Sequence, residues 1–208
     1  GSTWTWVGGS DGHGQAAVYG TQGVPAAGND PGARYGAASW VDASGNTWLF
    51  GGGTQIESQA LGDLWKWDGT NWTWVNGANV PDQPGVYGTK GVPAPGNRPG
   101  ARRNAVTWVD AGGRLWLFGG RGTPSYPSGN KMLNDLWTWD GTSWTWVGGS
   151  DVAFQPGVYG TKGTASPTNA PGARFWATTC SGPDGRVWLH GGFGIGAATG
   201  GQLNDLWS

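Results

Sequence analysis

The chain has 208 residues, room for one or two ordinary domains, and a net charge of −1 from 12 basic and 13 acidic side chains scattered singly. The absence of a basic stripe argues against nucleic acid as a partner, and no apolar run approaches the ~20 residues that cross a bilayer as a helix. The 43 Gly and 13 Pro alone would read as disorder, but 17 Trp supply far more burial than a disordered chain carries, which leaves short aromatic strands joined by tight turns.

Gly1-Ser2 reads as a tag-cleavage remnant, so a targeting segment is not visible and the compartment stays open. From Thr3 to Val7, Trp4 and Trp6 alternate with Thr5 on the period of two that puts both rings on one strand face. Pro31-Gly32-Ala33-Arg34 follows, and it returns at Pro99 to Arg102 and at Pro171 to Arg174. Tyr19, Tyr87 and Tyr159 return in step with it, as do the Gly pairs beginning at Gly51, Gly119 and Gly191. A unit of about 70 residues is therefore present three times. Its copies span residues 31–98, 99–170 and 171–208, the last without its final strand, and residues 1–7 stand ahead of them as an orphan outer strand.

The second copy shows four strands in order. Strand a runs from Arg102 to Val109 and ends at a turn over Asp110 to Gly113. Strand b, Leu115 to Phe118, is stopped by Gly119-Gly120. Strand c, Asp135 to Trp139, is closed by Asp140-Gly141, a hairpin signal. Strand d is Trp144 to Val147. No 3.6-residue period occurs, so the expected fold class is all-β, with four-stranded antiparallel units in the manner of propeller blades.

Trp48-Leu49-Phe50-Gly51-Gly52 and Trp116 to Gly120, followed by Asn134-Asp135-Leu136-Trp137 and Asn204 to Trp207, resemble the Kelch motif over essentially the whole chain. The likeness extends to long-repeat bacterial Kelch proteins through Gly85 to Gly91 and Gly157 to Gly163. It implies a Kelch-type β-propeller and a parent family at the bacterial surface. Two departures stand out. The unit exceeds the roughly 50 residues of an ordinary Kelch repeat, and the excess, residues 76–98 in the second copy, is expected to pack its Tyr back onto the sheet. In the third copy Cys180 and His190 stand where Trp40, Trp108 and Phe50, Phe118 stand, with Trp176 expected to refill the space at Cys180.

The strand inventory is three blades permuted by one strand, naturally or by engineering. Known propellers use about 4 to 8 blades, so three blades leave two aromatic faces open. The resemblance implies closure by a terminal strand. The expected partner is the chain itself, with Trp4 and Trp6 of one copy pairing beside Leu206 and Trp207 of the next. A homodimer of six blades comes first and a homotrimer of nine second.

No catalytic set is expected. His13 and His190 provide no converging ligand group, so neither metal nor cofactor is expected. Nucleophile-elbow and phosphate-loop motifs are missing. Glu57 is the single Glu, and Asp42, Asp68, Asp110 and Asp140 sit at repeated turns. Galactose oxidase, a Kelch-type enzyme, relies on a Tyr–Cys cross-link and His ligands that Cys180 and two scattered His do not supply. The repeated Arg34, Arg102 and Arg174, which the Kelch resemblance implies form a ring around the channel mouth, carry two readings: ion pairs to Asp63, Asp135 and Asp205, or a pocket there that takes an anion or acidic peptide. The loops between strands b and c vary among copies, and their exposed candidates are Gln55, Glu57, Arg121, Tyr126 and Phe193. The expected function is a non-enzymatic scaffold or interaction module that closes a ring with itself. The alternative is a carbohydrate- or peptide-binding surface protein.

Overall fold

In a computed structural model the structure describes residues 3–56, 59–126, 131–182 and 184–208. It is all-β, with no helix among those residues. The first sheet takes β1 (Ala38–Val41), β2 (Thr47–Gly53), β3 (Ala60–Trp67) and β4 (Trp72–Asn76) in sequence order. The second copy supplies β5 (Arg102–Arg103), β6 (Val106–Val109), β7 (Leu115–Phe118), β8 (Arg121–Gly122), β9 (Lys131–Met132), β10 (Leu136–Trp139) and β11 (Trp144–Gly148). Of these, β6, β7, β10 and β11 form a second four-stranded sheet, and β5, β8 and β9 a small one. The third copy contributes β12 (Arg174–Phe175), β13 (Thr178–Ser181), β14 (Val187–Ile195) and β15 (Gly200–Trp207). Every pairing is antiparallel.

The repeated aspartates shape the hairpins. Asp42 Oδ1 accepts from the amides of Ser44 and Asn46, and Asp110 Oδ1 from those of Gly112 and Arg114. Their second oxygens accept from Trp48 Nε1 and Trp116 Nε1, each at 2.8 Å. Asp68 and Asp140 bind the amides two and three residues on, the Asx geometry that tightens a turn.

Three sequence expectations are corrected here. Strand a is broken rather than continuous, because Gly36, Asn104 and Trp176 have φ of 59°, 56° and 58° and split it just after the Arg. In the second copy the Gly pair ends strand b at Phe118 as expected, whereas in the first and third copies β2 and β14 are kinked there and run on through it. Gly51 and Gly52, at φ 64° and 108°, form a bulge beyond which β2 and β3 pair again from Gly52 with Leu61. A Cβ on Gly51 would lie 2.5 Å from the Arg102 carbonyl, so glycine lets the next unit approach this closely. As a result Arg121 and Phe193, expected on loops, lie within β8 and β14. Finally, Trp176 buries no volume at Cys180. Its left-handed backbone breaks the two-residue alternation, and it stands 66% exposed with its ring 4.7 Å from that of Phe175.

The sheets succeed one another around their first long strands. Thr107 Oγ1 donates to the Ser39 carbonyl, and Thr179 Oγ1 to the Thr107 carbonyl. The Asn104 amide bonds Gly36 O at 2.7 Å, and the Trp176 amide bonds Asn104 O at 3.2 Å. Strands β1, β6 and β13 are thus neighbours, and the sheets behind them pack face to face as propeller-like blades. Trp40, Trp48, Phe50 and Leu64 of the first sheet meet Leu115, Leu117, Trp137 and Trp144 of the second. Phe50 and Trp144 make an edge contact at 5.5 Å. The next seam joins Val106, Trp108, Phe118 and Leu136 to Leu189 and Trp207.

Leu117 is fully buried at the centre of the first seam. Leu117→Ala is expected to lower unfolding free energy by about 2–5 kcal/mol in urea titration, the range for a buried Leu that leaves a cavity.

Candidate functional site

Two features recur or stand open: a buried cluster repeated in each copy, and the two free sheet faces. The cluster begins with the Arg that opens strand a. Arg102 Nη1 and Nη2 donate to Asp135 Oδ1 and Oδ2, each at 2.7 Å, in the bidentate geometry only a guanidinium provides. Nη1 also donates to the Gly119 carbonyl at the bulge, and Nε to Gly100 O. Asp135 Oδ2 further accepts from Tyr87 Oη and Trp137 Nε1 at 2.7 Å. Arg174, Asp205, Tyr159 and Trp207 repeat the arrangement with the Gly191 carbonyl. Arg34, Asp63, Tyr19 and Trp65 repeat it with Gly51 O and Pro31 O.

Burial and charge set the ionisation of these groups. Desolvation first, and then the Asp135 charge, push the Tyr87 hydroxyl far above its ordinary value; Tyr19 and Tyr159 are raised by their own burial and aspartates. Burial alone would raise Asp205, but hydrogen bonds from Arg174, Trp207 and Tyr159 outweigh it and hold the carboxyl well below the usual range. For Arg102 burial opposes the charge and the facing Asp135 outweighs it, so the guanidinium stays protonated.

This geometry corrects the expectation of a channel-mouth anion site. The side chains of Arg34, Arg102 and Arg174 are 5%, 0% and 0% exposed, and both terminal nitrogens of each are bound within the protein. They fasten the long loop, through its Tyr, to strand c. Sequence reasoning had the Arg–Asp pair, but it missed that Trp65, Trp137 and Trp207 share the same carboxylate, for which the Asp-x-Trp spacing was the available signal.

The loop candidates do not converge on one site. Gln55 is exposed in the first copy, and Glu57 lies outside the described residues. Tyr126 is exposed. Arg121 and Phe193 meet at Phe175, which sequence reasoning missed: the guanidinium lies 5.8 Å from the Phe175 ring, and Phe193 5.6 Å from it. Among the described residues no three His, Cys, Asp or Glu side chains gather as a metal site, and no helix is long and apolar enough to cross a membrane.

Of the other predicted residues, Leu206 lies on a free sheet face. On the third sheet Thr178, Cys180, His190 and Leu206 are exposed at positions whose first-sheet equivalents, Ala38, Trp40, Phe50 and Leu64, are buried. On the first sheet Ser39 and Val41 are exposed and Trp67 and Trp72 half-buried. Trp207 is half-buried on β15. Trp4, Trp6 and Val7 are 99%, 71% and 74% exposed and belong to no strand.

No protein-family profile matches the chain. It is similar to the flagellar outer arm dynein alpha chain of Chlamydomonas reinhardtii, 37% identical over 127 residues, which is 57% of this chain and 2% of that protein. It is also similar to dynein regulatory complex subunit 7 of the same organism, 30% identical over 149 residues, 71% of this chain and 10% of that one. The chain thus spans a small fraction of the curated relatives it matches. Among solved structures, YjhT aligns with 85% of this chain and 36% of its own at 15% identity and a TM-score of 0.42. A fucose lectin from Kordia zhangzhouensis in complex with methyl-fucoside aligns with 76% of this chain and 85% of its own, at 18% identity and a TM-score of 0.34.

Two outcomes follow from the cluster. Arg102→Ala strands a buried carboxylate and is expected to cost about 3–5 kcal/mol, while the Arg102→Ala, Asp135→Ala pair costs less than the sum of the single changes in a double-mutant cycle. In pH titration of the unfolding midpoint, Asp205, Asp42 and Asp110 have folded values below their unfolded ones, so their stabilisation is present above about pH 4 and is lost as pH falls through the folded values. The tyrosines have raised folded values, so their stabilisation is full below about pH 10 and declines above it.

Proposed function

We propose that the chain is a Kelch-like propeller segment without catalytic activity, a scaffold that closes a ring with copies of itself: two chains giving six blades, or in second place three giving nine. The observation that carries this reading is a matched pair of loose ends. Residues 3–7 have the strand-d sequence yet stand exposed, and β15 ends its sheet where β3 and β10 are covered by β4 and β11.

The two internal blades specify how the ends would join. Trp65 pairs with Trp74 and Trp137 with Trp146, so Trp207 would pair with Trp6 of the next chain. Tyr19 and Tyr87 each pack edge-on against that outer Trp at 5.0 Å, and Tyr159, whose ring meets just Trp207 among the described aromatic residues, would gain Trp6. The Gly23 and Gly91 amides donate to the carbonyls of Trp74 and Trp146, so the Gly163 amide would take Trp6 O. Asp82 and Phe154, both left-handed, donate their amides to Ala60 O and Met132 O. Their equivalent is Gly14, at φ 69°, facing Gln202 O of the neighbour. One short arm thus makes a strand, an aromatic contact and two further backbone bonds.

Native mass spectrometry at micromolar concentration is expected to give two 21.6 kDa chains, and removal of residues 1–7 to give one, since two Trp rings worth roughly 1.5–3 kcal/mol each leave every junction. A full-length protein that stays single would overturn the ring. A mass of three chains would overturn the pair and leave nine blades.

A further inference from the structure

The second copy holds one arginine that the repeat does not require. Arg98 stands where the other copies have Asp30 and Ala170. Asp30 closes its own turn by accepting from the Gly32 amide, and Ala170 has no polar side chain to place. Arg98 is half-buried, and its Nε is buried without a hydrogen-bond partner. None of the ion pairs among the described residues includes it. A cation withdrawn this far from water without a partner is costly, and an acceptor brought by a ligand would offset that cost.

Arg98 lines a pocket of about 320 Å³ between the end of β4 and the loop that leads into the second blade. Its walls are Gln22, residues 76–78 and residues 95–98, all of them described, and none carries a carboxylate or a second cation. The first copy departs from the second here. In the second, Asn134 Oδ1 accepts from the Ser150 amide at 3.2 Å and Asn134 Nδ2 donates to Pro171 O. The first has Gly62 at that position, so the equivalent Ala78 amide has no side-chain cap. Asn76, where the second copy has Gly148, adds a side-chain amide to the wall. Gln22, where the other copies have Lys90 and Lys162, donates from Nε2 to Val75 O and keeps Oε1 as an acceptor. The facing wall is pinned: Asn97 Nδ2 donates to Val92 O and Trp144 O, and Arg98 exchanges both main-chain bonds with Val86.

We propose that this pocket binds a hydroxylated carboxylate of the size of a uronic acid. One guanidinium with no second cation matches a single negative charge, and its planar fork matches a carboxylate. The amides of Gln22, Asn76 and Ala78 then serve the ligand's hydroxyls, on walls that are already held in place. The site lies within one chain and does not rest on ring closure.

Titration of the ¹⁵N-labelled full chain with sodium D-glucuronate at about 150 mM salt tests it, read at the Arg98 Nε–H and Ala78 amide resonances. Methyl glucoside, which lacks the carboxylate, and inorganic phosphate, which lacks the sugar, are run beside it. Glucuronate is expected to shift both resonances to saturation. Arg98→Ala, the residue of the third copy, should weaken binding by about tenfold or more as read at Ala78. Arg98→Lys keeps the charge, loses the fork and should lose most of that affinity as well. Both unfolding midpoints should stay near that of the parent protein, since the repeat accommodates other residues at this position. The proposal is overturned by an absent shift with glucuronate, by binding that survives either substitution, or by phosphate or methyl glucoside binding as tightly as glucuronate.

Discussion

Everything else in this structure hangs on one carboxylate per copy. Asp63 on β3, Asp135 just before β10 and Asp205 on β15 each accept from an Arg, a Tyr and a Trp. An ionised group so deep would be prohibitively costly alone, and an Arg partner alone would leave acceptor sites empty. The Tyr and Trp donors complete the shell. Because the Tyr comes from the long loop, the Arg from the start of strand a and the Trp from strand c itself, one buried point joins three segments that are far apart in sequence. A loop of this length has few apolar residues of its own, so the hydroxyl at its centre does what a hydrophobic core does elsewhere.

The same point governs how one blade meets the next. Arg102 and Arg174 use a terminal nitrogen to hold the carbonyl of Gly119 and Gly191, the first residue of each bulge. The bulge in turn receives the backbone of the following copy: the Gly120 amide donates to Arg174 O at 2.8 Å, and the Arg174 amide to Leu133 O at 3.0 Å. Arg174 therefore anchors its own blade with its side chain and the previous blade with its main chain. Lysine would keep the charge and lose the fork that reaches the carboxylate and a carbonyl together.

Much of this was legible in the sequence, because repetition turns single residues into patterns. Trp144, Thr145 and Trp146 alternate at the strand period, and their copies do the same, so strand identity and order read directly. The Arg–Asp pairing was legible since both residues recur in step. What the sequence did not display were backbone conformations that no residue type announces. Gly36, Asn104 and Trp176 share one left-handed position, yet only the first is a residue that signals it. The consequence was a strand drawn as continuous and a Trp assigned to the wrong face. The Gly pairs were read as stops because glycine usually ends a strand; that holds for β7, whereas in β2 and β14 the pair lets a neighbouring carbonyl come close while the strand runs on. For the candidate site, the channel-mouth reading treated a polar residue at the start of strand a as exposed. Burial depends on what the loop folds over it, and that follows from the Tyr some fifteen residues earlier.

The seams within the chain and the seam proposed between chains are chemically unequal. Inside, Phe50 stands 1% exposed against Trp144, and Trp40 and Trp48 fill the space beside it. On the free face of the third sheet the same positions hold His190, Cys180 and Trp188, which remove two of the three large apolar groups. A face meant for permanent burial gains from Phe and Trp, whereas a face that spends time in water between synthesis and assembly is safer with smaller and more polar groups. The first-sheet face that would oppose it shows the same tendency, with Ser39 where the second sheet has Thr107, though it keeps Trp67 and Trp72. Affinity across such a seam would then come less from face-to-face burial than from the proposed exchanged arm, whose Trp4 and Trp6 are large, exposed apolar groups. With the apolar surface on the exposed arm and the polar surface on the sheet face, the proposed closure would depend on strand pairing, which is directional, rather than on hydrophobic contact, which is not. That division would favour a ring of fixed register over indiscriminate aggregation of open faces.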